Sequence, residues 1–208
     1  MLNIEKYKVG PLETNCYFIT DADTKKSAII DPGGISSELD KRIKAIGKEN
    51  IEYILMTHGH FDHIRKAMRY KELTGAKLMI GVNEKEFTKD RHLNLCRIEM
   101  PAFDVDLLLN DGDIIELGNT KIKVLNTPGH TIGGVCFITG DSIFSGDTIM
   151  KGTIGRCDLE TGNITQMMDS VSKIVQLSGE YNIYPGHGEE TTLNNEKKNN
   201  IYFRKVLK

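Results

Sequence analysis

The sequence has no long hydrophobic run, no closely paired cysteines and no marked excess of either charge. No stretch approaches the roughly 20 apolar residues that a membrane-spanning helix needs. Lys+Arg 27 against Asp+Glu 29 gives a net charge of −2, which supplies no overall attraction to nucleic acid or anionic lipid. We therefore expect neither nucleic acid nor a membrane among the partners of this protein.

The start of the chain and the cysteines favour a cytoplasmic location. Residues 1–8 lack the apolar segment of a secretory signal peptide. The cysteines lie far apart and form no CxxC pair, a pattern typical of reduced thiols, although an even count permits a disulfide. They are Cys16, Cys96, Cys136 and Cys157.

What is present describes a globular α/β protein. The 208 residues are 39% hydrophobic and 27% charged, enough to bury a sizeable core. No change in composition marks a linker, so we expect one domain over residues 1–208. Predicted strands and then helices occur in each half of the chain. This order favours an α/β (α+β) fold in which two packed sheets carry helices on their outer faces.

The predicted elements follow from apolar periodicity and turn signals. Predicted strands occupy residues 4–9, 15–20, 27–31, 51–57, 77–81, 113–116, 121–125, 135–139, 142–145 and 182–185. Predicted helices occupy residues 36–47, 64–75, 84–89 and 163–177, with a last helix opening at residue 191 or 192. Residues 83–110 are the most irregular stretch, and we expect them to form an insertion over the functional site.

One loop concentrates the chemistry. The segment Thr57-His-Gly-His-Phe-Asp-His63 follows a predicted strand and precedes a predicted helix. It places four polar candidates, His58, His60, Asp62 and His63, where side chains can converge outside a strand end. Neutral imidazole and carboxylate are ligands for zinc, iron and manganese. The pattern therefore predicts a metal site, and the alternative is a polar loop without metal.

Three further candidates lie on glycine-rich loops that follow apolar strands. His130 lies in Thr127-Pro-Gly-His-Thr, Asp147 in Ser145-Gly-Asp-Thr, and His187 in Tyr184-Pro-Gly-His-Gly188. Glycine lets the backbone turn sharply and leaves room for an ion. A single histidine in a loop carries little information. Five histidines in this position, with two aspartates, indicate one convergent site.

These motifs resemble the metallo-β-lactamase superfamily, and within it the glyoxalase II (hydroxyacylglutathione hydrolase)-like branch. The resemblance extends from Asn15 to about Thr192 and includes Ile154-Gly-Arg-Cys-Asp158. It implies a four-layer αββα sandwich with two divalent metal ions, zinc, iron or manganese, at one edge. It also implies seven ligands in two sets with one bridge: His58, His60 and His130; Asp62, His63 and His187; and Asp147 between them.

The resemblance also separates the branches of the superfamily. Zinc β-lactamases usually carry a cysteine where this chain has Asp147, which argues against antibiotic hydrolysis. Flavodiiron proteins usually carry an acidic residue where this chain has His60. Glyoxalase II enzymes usually add a C-terminal helical domain that grips glutathione. Because only about twenty residues follow His187, we expect no separate domain of that kind.

Two residues are candidates for supporting roles. Asp31 ends a predicted strand, where it can hydrogen-bond a ligand imidazole or simply cap the turn before a proline. Arg156 lies where the branch offers a basic group and can bind a substrate carboxylate, or can be a solvated arginine. Asp62 is expected to be catalytic as well as a ligand, by orienting or deprotonating the nucleophile.

The function that the resemblance implies is a metal-dependent hydrolase. Two cations lower the pKa of a shared water to near 7, and the metal-bound hydroxide attacks a thioester such as a hydroxyacyl thiol conjugate. A persulfide dioxygenase with one iron, a lactonase, a phosphodiesterase or another ester hydrolase is an alternative on similar motifs. A non-catalytic metal-binding protein is the remaining alternative. The expected partner is therefore a small-molecule thioester.

Overall fold

The computed structural model describes residues 1–97 and 100–207. Its first sheet contains six strands whose spatial order follows the chain. They are β1 (Leu2–Val9), β2 (Thr14–Asp21), β3 (Ser27–Ile30), β4 (Ile51–Met56), β5 (Lys77–Gly81) and β6 (Leu107–Leu109). The pairs from β1 to β3 are antiparallel, whereas those from β3 to β6 are parallel. The ends of β3 and β4 therefore meet at one edge.

The second sheet also contains six strands, in the order β14-β13-β10-β9-β8-β7. Its strands are β7 (Ile114–Leu117), β8 (Thr120–Asn126), β9 (Val135–Thr139), β10 (Ser142–Gly146), β13 (Asn182–Pro185) and β14 (Thr191–Thr192). A separate hairpin pairs β11 (Ile149–Met150) with β12 (Thr153–Ile154). Because β10 and β13 are parallel, the loops that follow them lie at the same edge.

In the described residues there are six α-helices, most of which cover the outer faces of the sheets, while α2 lies at the edge where the ligand loops meet. They are α1 (Ser37–Ile46), α2 (Phe61–Ile64), α3 (Ala67–Thr74), α4 (Ile164–Val175), α5 (Leu193–Asn199) and α6 (Ile201–Val206). Helix α1 begins where the Ser36 hydroxyl accepts a hydrogen bond from the backbone N–H of Leu39 at 3.2 Å. Helix α4 begins in the same way at Asn163, which accepts from the N–H of Gln166 at 3.0 Å. Both helices begin where the sequence predicts.

Three apolar layers show that the four-layer αββα arrangement is present. One layer packs α1 and α3 against the first sheet, with Leu39 and Ile54 among its buried residues. A second lies between the sheets and includes Tyr17 and Phe137. A third packs α4 and α6 on the second sheet and includes Val171. The predicted fold class is therefore confirmed, while its organisation as one domain stays a prediction.

Two predicted helices are interrupted in the structure. The helix predicted over residues 64–75 divides into α2 and α3, because the Lys66 N–H donates to the Pro32 carbonyl at 3.0 Å instead of within the helix. The C-terminal helix divides at Asn200, whose extended backbone and side-chain oxygen start α6 by accepting from the Tyr202 N–H at 3.0 Å. Both interruptions arise from local hydrogen bonds that compete with the helical ones.

The irregular stretch, residues 83–110, contains more structure than the sequence predicts. Its predicted short helix is a 3-10 helix, Val82–Thr88, and its end forms β6, which the sequence analysis missed. Positions 98 and 99 lie outside the described residues. The Asn94 carbonyl accepts a hydrogen bond from the backbone N–H of Phe61 at 2.8 Å, which fixes this stretch to the loop that carries the candidate ligands.

Within the described residues, no helix combines the length and the apolarity required to cross a bilayer. No disulfide joins any two of the four cysteines, which lie in the described part of the chain.

Candidate metal centre

All seven predicted ligands lie at one edge of the sandwich, where the ends of several strands meet. The loop after β4 and the short helix α2 carry His58, His60, Asp62 and His63. The other three lie on loops of the second sheet: His130 between β8 and β9, Asp147 after β10, and His187 after β13. The fold thus brings together residues separated by up to 129 positions, as His58 and His187 are (187 − 58).

Hydrogen bonds between the sheets close this edge. The Val135 N–H donates to the Thr57 carbonyl at 2.8 Å, beside the first ligand loop. The Asn15 N–H donates to the Gly186 carbonyl at 2.7 Å, and the Tyr17 hydroxyl donates to the Pro185 carbonyl at 2.7 Å. Since Gly186 directly precedes His187, these bonds fix that ligand loop against strand β2.

Among the described residues the candidate ligands form three groups, of which two share no residue, while the third joins His58 and His63 to Asp147. In the three-histidine group (His58, His60 and His130), one ligand atom of each residue lies within 4.8 Å of those of the others. In the acidic group (Asp62, His63 and His187), the same spacing holds. Both are arrangements that a metal ion can occupy.

Asp147 lies between the two groups. One of its oxygens, Oδ1, is 3.5 Å from Nε2 of His63, which belongs to the acidic group. The other, Oδ2, is 3.5 Å from Nε2 of His130, which belongs to the three-histidine group. A carboxylate in this position can bind two cations at once, as the sequence predicts for Asp147. Its role as a ligand, like that of the other six residues, stays a prediction.

Unpaired buried atoms support the fit of this donor set to metal ions. Among the described residues, four site atoms are buried without a hydrogen-bond partner: Nε2 of His58, His60 and His63, and Oδ1 of Asp147. Leaving such an atom unsatisfied costs about 1–3 kcal/mol, so several in one place call for an explanation. Imidazole nitrogen and carboxylate oxygen are donors that divalent transition metals accept.

The protonation of the three-histidine group suits metal binding. Burial, together with the neighbouring histidines, lowers the pKa of His58 well below its usual value. Burial likewise lowers the pKa of His60 to about 3, with His130 and His63 adding to the effect. Both rings are therefore neutral at pH 7, which is the form that binds metal.

The acidic group has the opposite electrostatic character. Burial disfavours protonation of His63, but Asp62, Asp147 and Asp31 outweigh burial and raise its pKa to about 10. The same cluster keeps the Asp62 carboxyl ionised, because His63 and His187 lower its pKa against the effect of burial. Without an ion these carboxylates hold a proton on His63, and a bound cation would take the place of that proton.

Asp31 occupies the supporting position that the sequence suggested. It is buried, and its Oδ2 lies 2.9 Å from Nδ1 of His63. The same carboxylate accepts hydrogen bonds from the N–H and the hydroxyl of Thr57, both at 2.7 Å. Asp31 therefore contacts a candidate ligand and the residue that precedes another, His58. Of the two readings the sequence left open, the imidazole contact is present.

Arg156 contributes to the site through its backbone. Its carbonyl lies 2.7 Å from Nδ1 of His130, which leaves Nε2 of that ring for the site. Its guanidinium is exposed and forms two hydrogen bonds with Asp158, at 2.7 and 2.8 Å. The predicted contact with a substrate carboxylate would compete with this ion pair, and it stays a prediction.

Two residues that contact the site, Thr14 and Glu84, were missed by the sequence analysis. The Thr14 hydroxyl donates to Oδ2 of Asp62 at 2.9 Å. The buried Glu84 side chain accepts hydrogen bonds from the N–H groups of Gly59 and Gly133, which lie in two of the ligand loops. Neither residue belongs to a motif, and each meets the site only through the tertiary fold. The sequence gives no signal for either contact.

Comparison with known proteins agrees with this geometry. The profile of the metallo-beta-lactamase superfamily matches residues 9–187. This chain belongs to the metallo-β-lactamase superfamily. A curated relative, the hydroxyacylglutathione hydrolase GloC of Haemophilus influenzae, is 35% identical over 210 residues, covering 97% of this chain and 98% of that protein. The family assignment made from the motifs is therefore confirmed.

Solved structures share the fold over almost the whole chain. A structure described as the BLEG-1 B3 metallo-beta-lactamase has a TM-score of 0.85 at 30% identity and covers 98% of this chain and 99% of its own. TTHA1623, described in a di-iron-bound form, has a TM-score of 0.83 at 28% identity, with coverages of 95% and 99%. The fold is thus common to these chains.

Proposed function

We propose that this protein is a metal-dependent hydrolase that cleaves a thioester, such as a hydroxyacyl conjugate of a small thiol. The observation that carries the proposal is the meeting of the three-histidine group and the acidic group at Asp147, on an edge that solvent can reach. The side chains of Asp147 and Asp62 are each 11% exposed, and that of His187 is 25% exposed. A substrate can therefore approach the reacting groups.

The residues divide the work between holding ions and moving a proton. His58, His60 and His130 would hold one ion, and the acidic group the other, with Asp147 between them. Bound there, two divalent cations would lower the pKa of a shared water and polarise the substrate carbonyl. The nature of the metal is part of the proposal, and zinc, iron and manganese all suit this donor set.

Asp62 is the proposed catalytic residue. Its Oδ2 accepts a hydrogen bond from the Thr14 hydroxyl at 2.9 Å and lies 3.1 Å from Nε2 of His187, so the carboxylate is held in one orientation. It is ionised, since His63 and His187 lower its pKa. Such a carboxylate can accept a proton from the attacking water while the C–O bond forms. The carbon–sulfur bond then breaks, and the leaving thiolate takes up the proton that Asp62 accepted.

A cleft beside His187 offers room for the substrate. Its volume is about 350 Å³, and it is lined by Met150, Lys151, Thr153, His187, Gly188 and Glu189. Lys151 forms an ion pair with Glu189 at 2.5 Å. Arg156 forms one with Asp158 at 2.7 Å. Both basic side chains near the site are thus neutralised locally. We infer that the thiol part of the substrate carries little net negative charge, or displaces one of these pairs.

The relatives support a hydrolase and widen the panel of substrates that should be tested. GloC is named a hydroxyacylglutathione hydrolase, which supports thioester chemistry at a site of this kind. The BLEG-1 structure is described as a metallo-beta-lactamase, so a β-lactam belongs in the same panel. Lactones, a phosphodiester and a thiol persulfide represent the alternatives, because each would approach the same residues.

The test is turnover of this panel by protein loaded separately with zinc, iron or manganese. We expect the lactoyl thioesters of small thiols to be hydrolysed with the highest kcat/KM, and the metal-free protein to be inactive. Oxygen consumption with a persulfide and one iron per chain would instead identify the dioxygenase. Faster turnover of a β-lactam, lactone or phosphodiester than of any thioester would reject the proposed substrate class.

A further inference from the structure

Glu84 is a buried carboxylate that the proposed chemistry does not use. It lies in the 3-10 helix Val82–Thr88, and its side chain is fully buried. Its Oε2 accepts a hydrogen bond from the Gly59 N–H at 2.8 Å, and its Oε1 accepts one from the Gly133 N–H at 2.7 Å. One side chain therefore joins two loops that come from different sheets.

These two loops carry all of the three-histidine group. Gly59 lies between His58 and His60, and Gly133 follows His130 by three positions in the same loop. His187 lies on another loop, and Asp62 and His63 lie on α2, which begins two residues after Gly59. Glu84 therefore contacts the loops of the three-histidine group directly and reaches Asp62 and His63 only through α2.

The backbone of both loops lies very close to the segment that contains Glu84. A Cβ atom added to Gly59 would lie 2.2 Å from Cβ of Phe87, and one added to Gly133 would lie 2.7 Å from Cβ of Asn83. Real Cβ atoms do not approach other atoms so closely, so only glycine fits at these positions. Both loops therefore lie in contact with this segment, where the Glu84 carboxylate can accept hydrogen bonds from their N–H groups.

Keeping a carboxylate at this position is costly for the fold. Burial raises the pKa of Glu84 to about 7, although the Thr131 side chain and the two backbone N–H groups act in the opposite direction. Among the described residues, no lysine or arginine forms an ion pair with it. A glutamine would fill the same volume, but only its carbonyl oxygen accepts a hydrogen bond. Its NH2 group is a donor and would face one of the two backbone N–H groups, which would then have no acceptor. Two acceptor oxygens are what the contact requires.

We propose that Glu84 is a positioning residue that sets the spacing of the three-histidine group by joining the loops of His58, His60 and His130. Its effect reaches the metal through the backbone of those loops, and it does not touch substrate. The proposal rests on the metal-binding part of the proposed function, and it does not depend on which substrate is cleaved. Failure of the thioesterase assignment would leave it intact.

The variant that tests this is Glu84→Gln, in which one of the two backbone N–H groups loses its acceptor. Metal binding is measured by competition with a chelator, and the ligand environment by the visible absorption of the cobalt-loaded protein. We expect one of two ions to bind roughly 10–100-fold more weakly, a range typical of residues that orient ligands. The second ion should keep its affinity, and the cobalt absorption of the weakened position should change.

Glu196→Gln is the matched control. Glu196 is also fully buried, and its carboxylate accepts from the Gly152 N–H at 2.9 Å and from the Thr191 hydroxyl at 2.7 Å. Its partners are not in the loops of the three-histidine group. The same chemical change should therefore lower stability but leave both ions bound. If Glu196→Gln also weakened one ion selectively, and as much as Glu84→Gln does, the proposal would be overturned. The loss of any buried carboxylate would then explain the effect.

Glu84→Asp provides a second variant if Glu84→Gln does not fold. It keeps both acceptor oxygens on a side chain one methylene shorter, so we expect a smaller loss that is confined to the same ion. Wild-type affinity for both ions in either folded variant would overturn the proposal. Equal weakening of the two ions would overturn it as well, since a general disturbance of the fold does not distinguish between the groups.

Discussion

The two halves of the candidate centre lie side by side but are built differently. The three-histidine group consists of three imidazole rings. Burial lowers the pKa of two of them, His58 and His60. The acidic group holds an ionised Asp62 and a His63 whose pKa is raised to about 10 by nearby carboxylates. His58 and His60 are therefore neutral donors at pH 7, whereas His63 is a protonated ring held among carboxylates.

A different buried carboxylate contacts each half directly, while Asp31 also reaches the three-histidine group through Thr57, which precedes His58. Glu84 joins the loops of the three-histidine group through two backbone N–H groups. Asp31 lies against the ring of His63 in the acidic group and accepts from Thr57. The comparison teaches that two ions at one edge need not be positioned by one framework. Variants should thus separate the halves, except at Asp147, which both share.

Asp147→Ala should have the largest effect, because this residue contacts both halves. We expect occupancy of both ions to fall and kcat/KM for a lactoyl thioester to drop roughly 100-fold or more, since both ions contribute to the reaction. Metal analysis of the purified variant and a thioester assay measure the two effects. Asp169→Ala, which removes an exposed carboxylate on α4, is the control. Unchanged turnover in Asp147→Ala would defeat the bridging role.

Asp31→Asn should weaken the acidic half more than the three-histidine half. The backbone of Asp31 has a φ of 53°, a conformation that asparagine tolerates, so the change removes charge and one acceptor without added strain. We expect the ion of the acidic group to bind about 10–100-fold more weakly. Chelator competition measures this loss. Glu84→Gln should instead weaken the ion of the three-histidine group.

Asp21→Asn is the control for that experiment. Asp21 is also buried at a strand end, and it accepts hydrogen bonds from the Thr24 N–H at 2.8 Å and the Thr120 hydroxyl at 2.7 Å. It lies at the opposite end of β2 from Thr14, which contacts Asp62. Its loss should reduce thermal stability and leave metal affinity unchanged. If Asp31→Asn weakened the binding of both ions by the same factor, the two halves would not be positioned independently.

Asp158→Asn should have the smallest effect, because it acts on substrate and on neither half of the centre. The change releases the exposed Arg156 side chain from its ion pair. We expect KM to fall about 2–5-fold for a thioester whose thiol carries a carboxylate, in line with the weak interactions of exposed charges. KM for an uncharged thiol should not change. An identical response of both substrates would exclude Arg156 as a carboxylate contact.

The sequence predicts which candidate ligands come together in the fold because their signals are local. His58, His130 and His187 each follow an apolar strand and lie beside glycine, and strand ends of an α/β fold converge. The same strands and caps are therefore found in the structure at nearly the predicted positions. Asp31 is detectable for the same reason, since it ends a strand immediately before a proline and two glycines.

The missed features depend on contacts between distant residues. Glu84 lies among ordinary charged residues in an irregular stretch, and only the fold brings it to Gly59 and Gly133. The interruption at Lys66 arises from the carbonyl of Pro32, which no helical periodicity reveals. Strand β6 is three leucines long, too short to alternate. In each case the determining partner is more than twenty positions away, or the segment is too short to carry a pattern.

The central claim is that two ions at this edge make the protein a hydrolase. The direct test is to titrate metal-free protein with zinc, iron or manganese while measuring both bound metal and hydrolysis of a lactoyl thioester. The account predicts that turnover rises with occupancy and reaches its maximum at two ions per chain. Full turnover in chelator-treated protein, or two bound ions without hydrolysis of any substrate in the panel, would contradict it.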